Sequence, residues 1–332
     1  MKRNLLLTLA LMLLGGVNLY AAPANGVEDI PGGKKYKKYT LTDASSDEEK
    51  RAALADKYAV IIDVTGVTAT NQTLESANPN CIFIANAGTL ANTQNVCVNG
   101  VIASLVLQDG YHDGYQDEYP FACPEKVSAT EAQYSRTQPN MFGTLCLPFD
   151  VADTDVEYYT TNGVNGEGAL MLTKLTTLPA GTPAIVYNYR HEDTHDYMLD
   201  AGVSELAAAT EHSDGNGVKM VGSFVDKTID VTLDTSNNYY GISSNQFVKA
   251  TKTLNVKAFR AYLTTSASLT PLGAKLRLQI DDEETLAIQT LTSEGNAVSA
   301  IYNANGVRQQ GLQKGLNIVK MQNGQNMKVY VK

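Results

Sequence analysis

The sequence predicts an all-β protein. It has a short-strand N-terminal β region, then an antiparallel β-sandwich, then a small C-terminal β unit, with one N-terminal helix. Three observations lead there. Short apolar runs recur along the whole chain, Gly and Asn pairs punctuate them, and helical periodicity is confined to one segment.

Met1-Lys2-Arg3 is a basic start, and Leu5 to Leu14 is apolar apart from Thr8. With Leu19-Tyr20-Ala21 as a cleavage site, residues 1–21 read as a secretory signal peptide and the mature chain begins near Ala22. The apolar run is too short to span a bilayer. No second stretch of spanning length follows, and no cysteine follows the run to take a lipid anchor. Residues 22–57 form a leader with a short helix. In it, Lys34-Lys35-Tyr36-Lys37-Lys38 reads as a solvated basic run after Pro31-Gly32-Gly33. The helix begins at Ser46, where Ser46 and Glu49 make a capping box, acids fill the first turn and good helix formers continue to Lys57.

Residues 58–142 form the short-strand region. Its strands are Ala59 to Val64, Cys81 to Ala85, Asn95 to Asn99 and Ser104 to Gln108, unevenly spaced between Asn and Gly. They fit either the rungs of an irregular solenoid or an ordinary meander. Residues 143–284 carry longer strands. Candidates start at Thr144, Val156, Ala169, Ala184, Asp196, Lys219, Asn238, Ala258 and Lys275, with turns at Asn162-Gly163, Asn165-Gly166 and Asp214-Gly-Asn-Gly217. Lys275-Leu-Arg-Leu-Gln-Ile280 alternates as a half-buried strand does. Many short strands with such turns imply the sandwich. Ala201 to Thr210 reads as a second, shorter helix. Residues 285–332 form a separate β unit of short alternating strands, Asn-Gly turns and a basic end.

Composition narrows the function. With 26 Lys and Arg against 35 Asp and Glu, the net charge is −9 and nucleic acid is not an expected partner. There is no Trp, so sugar stacking would fall to Tyr. Cys81, Cys97, Cys123 and Cys146 make an even count, which in an exported chain suggests disulfides with three possible connectivities; four buried, unpaired thiols are the alternative.

The most prominent chemical string is His191-Glu192-Asp193-Thr194-His195, an H-E-x-x-H match. In zinc hydrolases the spacing puts two imidazoles on one helix face with the Glu as general base. Here Ala184 to Arg190 and Asp196 to Asp200 flank it as strands, so the string reads as a polar hairpin tip. Glu211 or His212 would have to supply a third ligand. The second string is Asp109-Gly-Tyr-His-Asp113-Gly-Tyr-Gln-Asp117-Glu118, whose Asp109, Asp113 and Asp117 are a calcium candidate, although the spacing is not that of an EF-hand. A solvated loop lengthened by duplication explains it more simply. Val151-Ala-Asp153-Thr-Asp155 is a weaker case. No nucleophile elbow and no phosphate-cradling glycine loop occurs. The reading therefore assigns no catalytic residue, cofactor or metal.

Two resemblances add an address. Gly306, Gly315 and the strands from Ile301 to Lys332 resemble the C-terminal sorting domain of type IX secretion cargo. Val307-Arg308 after Gly306, and Asn317 in place of a common aromatic, depart from its pattern. Ala77-Asn-Pro-Asn80, Leu105 to Gly110, Thr144 to Phe149, Leu178 to Pro183 and Leu254 to Tyr262 resemble landmarks of an uncharacterised module of exported bacterial surface proteins. The resemblance implies a secreted or outer-surface protein of a Gram-negative bacterium, with the secretion machinery and a host, matrix or glycan ligand as partners. It implies a non-enzymatic binding, adhesion or structural role; a zinc hydrolase using His191, Glu192 and His195 is the alternative.

Overall fold

The computed structural model describes residues 27–29, 35–112, 115–138, 140–151, 156–165, 168–188, 194–198, 204–214, 217–266, 275–280, 298–303, 305–309, 313–321 and 326–331. The chain divides into two compact units, Met1–Leu278 and Gln279–Lys332. Among the described residues there is one α-helix, Asp47–Ala55, and one short 3-10 turn, Val231–Leu233; the remaining elements are strands. The protein is all-β. No helix among the described residues is long and apolar enough to cross a membrane, which leaves strand-spanning architectures aside.

In the first unit, Lys37–Thr42, Ala59–Gly66, Ile82–Ala85 and Val96–Val98 stack side by side in parallel. Parallel neighbours need crossovers. The helix makes the first, entered through the expected capping box: Glu49 N donates to Ser46 Oγ at 3.2 Å and Ser46 N donates to Glu49 Oε2 at 2.7 Å. Asn99 and Gly100, both at positive φ, then reverse the chain into Val101–Ile102. Segments 101–108 and 128–137 each bend across two sheets and lie parallel to one another, Val101–Ile102 on Ser128–Ala129 and Leu105–Gln108 on Ala132–Thr137. The short strands are therefore stacked rungs, not a meander. The described part of the basic run, from Lys35 to Lys38, is no solvated leader either. Tyr36 is buried, Lys37 opens a strand, and Lys35 pairs with Glu118 while lying 4.6 Å from the Tyr58 ring centroid.

Where a sandwich was expected, ten strands hydrogen-bond into one sheet. In spatial order they are Phe142–Leu145, Ala184–Tyr187, Glu157–Val164, Leu170–Leu175, Lys275–Ile280, Gln246–Lys249, Asn237–Ser243, Arg260–Ser266, Val218–Ser223 and Glu211–Ser213. The sheet curls back on itself. Thr144 Oγ1, on the first of these strands, donates to Ala261 O at 2.9 Å and accepts from Ala261 N at 3.0 Å, on the eighth. Asn162-Gly163 is not a turn: Gly163, at φ +85°, lies within Glu157–Val164, where the register shifts between Thr161 and Val164.

The line at 142/143 runs through one core. Ile82, Ile102 and Leu105 from the rungs pack in the same cluster as Leu145 and Val186 of the curled sheet and Phe149 and Phe259 beside its strands. The helix expected over 201–210 does not form in its described part. Ser204–Glu205 pairs with Ser128–Ala129, and Leu206, Ala207 and Thr210 donate their N–H groups to Val127, Pro148 and Gly181. Long-range main-chain pairing overrides the local helix preference of the Ala run. Ala184–Tyr187 and Thr194–Met198 also sit in different sheets, so these two described strands do not pair as the expected hairpin; His191 to Asp193 between them lie outside the described residues.

The second unit holds a four-stranded antiparallel sheet, ordered Arg308–Gln309, Val298–Asn303, Gly315–Met321, Asn326–Val331. Asn303 Oδ1 accepts from Asn305 N and Val307 N, with Gly306 at φ +75° completing the turn. Asn317, buried, does the same for the next turn. Its Nδ2 donates to Gln313 O at 2.6 Å and Gly315 O at 2.8 Å, and its Oδ1 accepts from Gln313 N at 3.0 Å. A side chain that closes the turn stands where the sorting-domain pattern has an aromatic.

Candidate functional site

The polar residues that converge most closely lie at the seam between the rungs and the curled sheet. Alternation along Ala132–Thr137 buries Ala132, Tyr134 and Arg136 on one face. Antiparallel register sets Tyr197 opposite Tyr134, and their rings stack with centroids 6.1 Å apart. Asp109 follows directly on Leu105–Gln108, the neighbouring rung. Arg260 enters from the far side. It opens its strand directly after Phe259, a buried residue at φ +58°, in the left-handed region that costs a non-glycine residue about 1–2 kcal/mol.

That turn is pinned at both ends. Asp226 accepts from Ala258 N and Lys257 Nζ, both at 2.8 Å, and Phe259 O accepts from Cys146 N at 3.2 Å. The reversal drives the Phe259 ring against Tyr134 (4.9 Å), Phe224 (5.9 Å) and Phe121 (6.1 Å). It also aims the Arg260 guanidinium so that Nη2 donates to Asp109 Oδ2 at 2.7 Å and Nη1 to Tyr134 Oη at 2.6 Å. Burial alone would lower the Arg260 pKa, but Tyr134 and Asp109 outweigh it and hold the group above its ordinary value. Burial raises Tyr134. Arg136, 3 % exposed, is lowered by burial; it donates to Thr144 O at 2.6 Å and sits 5.5 Å from the Tyr197 ring centroid. The cluster ties two rungs to the curled sheet, and its one carboxylate faces a guanidinium.

Beside it, three buried asparagines bond to main chain, and two of them, Asn80 and Asn95, act as substitute peptide groups. Val106 and Gln108 turn their main-chain groups away from Ala132–Thr137, toward an edge with no strand. Asn95 takes up Val106, its Oδ1 accepting from Val106 N at 2.7 Å and its Nδ2 donating to Val106 O at 2.9 Å. Asn80 does the same for Gln108 at 2.8 and 3.0 Å, and its Nδ2 also donates to Tyr119 O at 2.9 Å. Asn78 Nδ2 donates to Ala59 O and Pro120 O at 2.8 and 2.9 Å. An amide carries a donor and an acceptor side by side, as a peptide does, so Asn95 and Asn80 each close the edge of the Leu105–Gln108 rung, whereas Asn78 ties Ala59 O to Pro120 O and its Oδ1 accepts from Asn80 N.

Among the described residues, those singled out in the sequence are not brought together. Asp109 is buried and committed to Arg260, so it is not an oxygen ligand waiting for calcium. Asp117 is exposed beside the small hairpin Tyr111–His112/Tyr115–Gln116, its N–H donating to Gly110 O at 2.8 Å; Asp113 lies outside the described residues. His195 lies in Thr194–Met198, in register with Arg136, which is extended backbone and not the helix an H-E-x-x-H site requires. His191 and Glu192 lie outside the described residues. His212 is in the edge strand Glu211–Ser213, opposite Met220, and Glu211 pairs with Lys219 at 2.9 Å. Among the described residues, no three His, Cys, Asp or Glu side chains are grouped to hold a metal ion.

The expected disulfides are not present: all four cysteines are free thiols. Register explains one pair. Cys97 is opposite Ile84, three residues beyond Cys81, so the odd offset puts the two sulfurs on opposite sheet faces and in different core clusters. Burial pushes the Cys81, Cys123 and Cys146 thiols up to about 12.

The sequence reading passed over Asn78, Asn80, Asn95, Arg136 and Arg260 as functional candidates. A signal existed for two of them: Asn-Pro-Asn immediately before an apolar strand, in a buried setting where amides must pair. No family model, curated protein or solved structure matches the chain.

Proposed function

We propose that this is an exported, non-enzymatic protein of the bacterial surface or exterior, a binding, adhesion or structural module whose last unit serves as its address for export. The observation that carries the reading is how the best-placed polar groups are used. Asp109, Arg260, Asn78, Asn80 and Asn95 hold main chain and strands together, so the conspicuous motifs account for architecture, and recognition falls to the loops and the tail. The separate compact unit Gln279–Lys332 is consistent with an address detachable from the body. A host, matrix or glycan ligand fits the acidic body, and the secretion machinery fits the tail.

Fractionation of cells expressing the full chain and a truncation after Glu284 tests the address. The full chain is expected at the surface or in the medium and the truncation in the periplasm; equal arrival of both refutes it. Metal analysis tests the non-enzymatic half. A folded protein without zinc is expected, and stoichiometric zinc that is lost in His191→Ala would overturn this reading in favour of the zinc-hydrolase alternative.

A further inference from the structure

The two faces of the C-terminal sheet are unlike each other. Asn317 and Val319 point to one face and are almost wholly buried, at 1 % and 2 % exposure. Leu316, Ile318 and Lys320 alternate onto the other, where Leu316 is 37 % exposed and Lys320 is exposed. Register extends that face across the sheet. Arg308, Tyr302, Ile318 and Lys328 occupy directly opposed positions in one row, and Leu316 is opposite Tyr330.

Charge is just as one-sided. From Val298 to Lys332 there is no Asp or Glu, but there are Arg308, Lys314, Lys320, Lys328 and Lys332. The whole chain carries −9, so the remaining residues hold a still larger acidic excess. This face, with Leu316, Arg308 and Lys320 exposed and Tyr302 and Ile318 half-buried, combines aliphatic and tyrosyl positions with cations, a composition suited to a protein interface. Its size limits the occupant. Three strands of six or seven residues and one of two, about 4.8 Å apart with about 3.4 Å per residue, give a face of roughly 300 Å². A stable interface needs about 800 Å² per partner, so the face suits a transient encounter better than a permanent dimer.

We propose that the face centred on Tyr302, Ile318 and Leu316, rimmed by Arg308 and Lys320, is a docking surface for an acidic polypeptide that also presents aromatic or aliphatic side chains. This deepens the address reading, on which the partner's place in export rests. The cations steer the encounter and set its salt dependence. The apolar positions distinguish the partner from a bare polyanion.

The test uses the full chain and two fluorescent probes, poly(Glu,Tyr) and poly-Glu, with phosphatidylglycerol vesicles as a third arm. Poly(Glu,Tyr) is expected to bind more tightly than poly-Glu, and binding should weaken as salt rises. Arg308→Glu with Lys320→Glu should weaken it about tenfold or more. Tyr302→Ala with Leu316→Ala should erase the preference for poly(Glu,Tyr), while Lys252→Glu, a charge reversal in the first unit, leaves binding unchanged. Arg308→Gln with Lys320→Gln serves if the reversals disturb folding, and should weaken binding in the same direction. Unaltered binding by the rim variants overturns the proposal, as does vesicle binding without polypeptide binding. If truncation after Glu284 misroutes the protein but the rim variants still bind poly(Glu,Tyr) normally, the docking face alone fails. If truncation changes nothing while the rim variants lose binding, the address fails and the face stands.

Discussion

Asn80→Ala removes one small side chain from the surface of a rung, yet its consequences fall on the main chain. The amide makes three bonds, to Gln108 N (2.8 Å), Gln108 O (3.0 Å) and Tyr119 O (2.9 Å), at a position with no exposure. Without it those groups lose their partner in a partly buried setting, beside an exposed Gln108 and a half-buried Tyr119. Each buried polar group left unpaired costs about 1–3 kcal/mol. Because the two carbonyls can recover part of this by relaxing and by hydration, the expected loss is about 2–4 kcal/mol, above the roughly 1 kcal/mol of an average substitution.

Asn80→Asp separates hydrogen bonding from volume. The new carboxyl has nearly the same shape but sets an oxygen against the carbonyls of Gln108 and Tyr119, where the amide set a donor. Burial and those oxygens raise its folded pKa above the unfolded value of about 3.9. The neutral acid can still donate one bond, so the penalty is smallest below the unfolded pKa. It grows as pH rises from there to the folded pKa and is constant beyond it. Urea denaturation followed by circular dichroism near pH 7 and near pH 4, against the parent protein, reads both variants. Asn80→Asp should be worse than Asn80→Ala near pH 7 and should recover toward acid. An Ala variant within about 1 kcal/mol of the parent, or an Asp variant whose deficit is the same at both pH values, refutes the amide as a substitute peptide group.

Three other outcomes follow from the seam and the thiols. Asp109→Asn should cost about 3–5 kcal/mol by leaving Arg260 without its counter-charge, and adding Arg260→Met should recover part of that loss in calorimetry; additive losses would deny the coupling. Phe259→Ala should cost about 3–5 kcal/mol for the lost ring. Phe259→Gly should be no worse, because glycine escapes a left-handed penalty of about 1–2 kcal/mol; a Gly variant clearly less stable than the Ala variant in denaturant titration would contradict the strained turn. In the native protein near pH 8, thiols raised to about 12 should react slowly with a disulfide reagent, whereas denaturant without reductant should release four thiols per chain; fewer than four would mean disulfides.

Much of the fold was legible because strands announce themselves through local patterning. Lys275–Ile280 alternates and is a strand over its expected range, and Ser46 with Glu49 caps a helix within the expected segment. What was not legible is partnership. Ala201 to Thr210 is helical by composition, and only the donors and acceptors at Val127, Pro148 and Gly181 make its described part extended. Cys81 and Cys97 are close in sequence, and only register shows that they face opposite ways. The strand at Ala132–Thr137 was missed because a buried arginine sits where alternation calls for an apolar residue, and its tolerance depends on Thr144 and Tyr197, both distant in sequence or in a separate strand.

The same distinction bears on how motifs are weighed. Ala77-Asn-Pro-Asn80 and Leu105 to Gly110 looked like two separate landmarks, but they are the two halves of one contact: Asn80 closes the edge that Gln108 presents, and Asp109 anchors the arginine that Leu254 to Tyr262 delivers. A landmark of this kind is constrained by the main chain it satisfies, and any ligand would see little of it. The residues free to vary with a partner are those that alternation leaves exposed. In the tail sheet these carry cations and apolar side chains without a single carboxylate from Val298 onward, which is the composition to vary first when recognition is to be separated from folding.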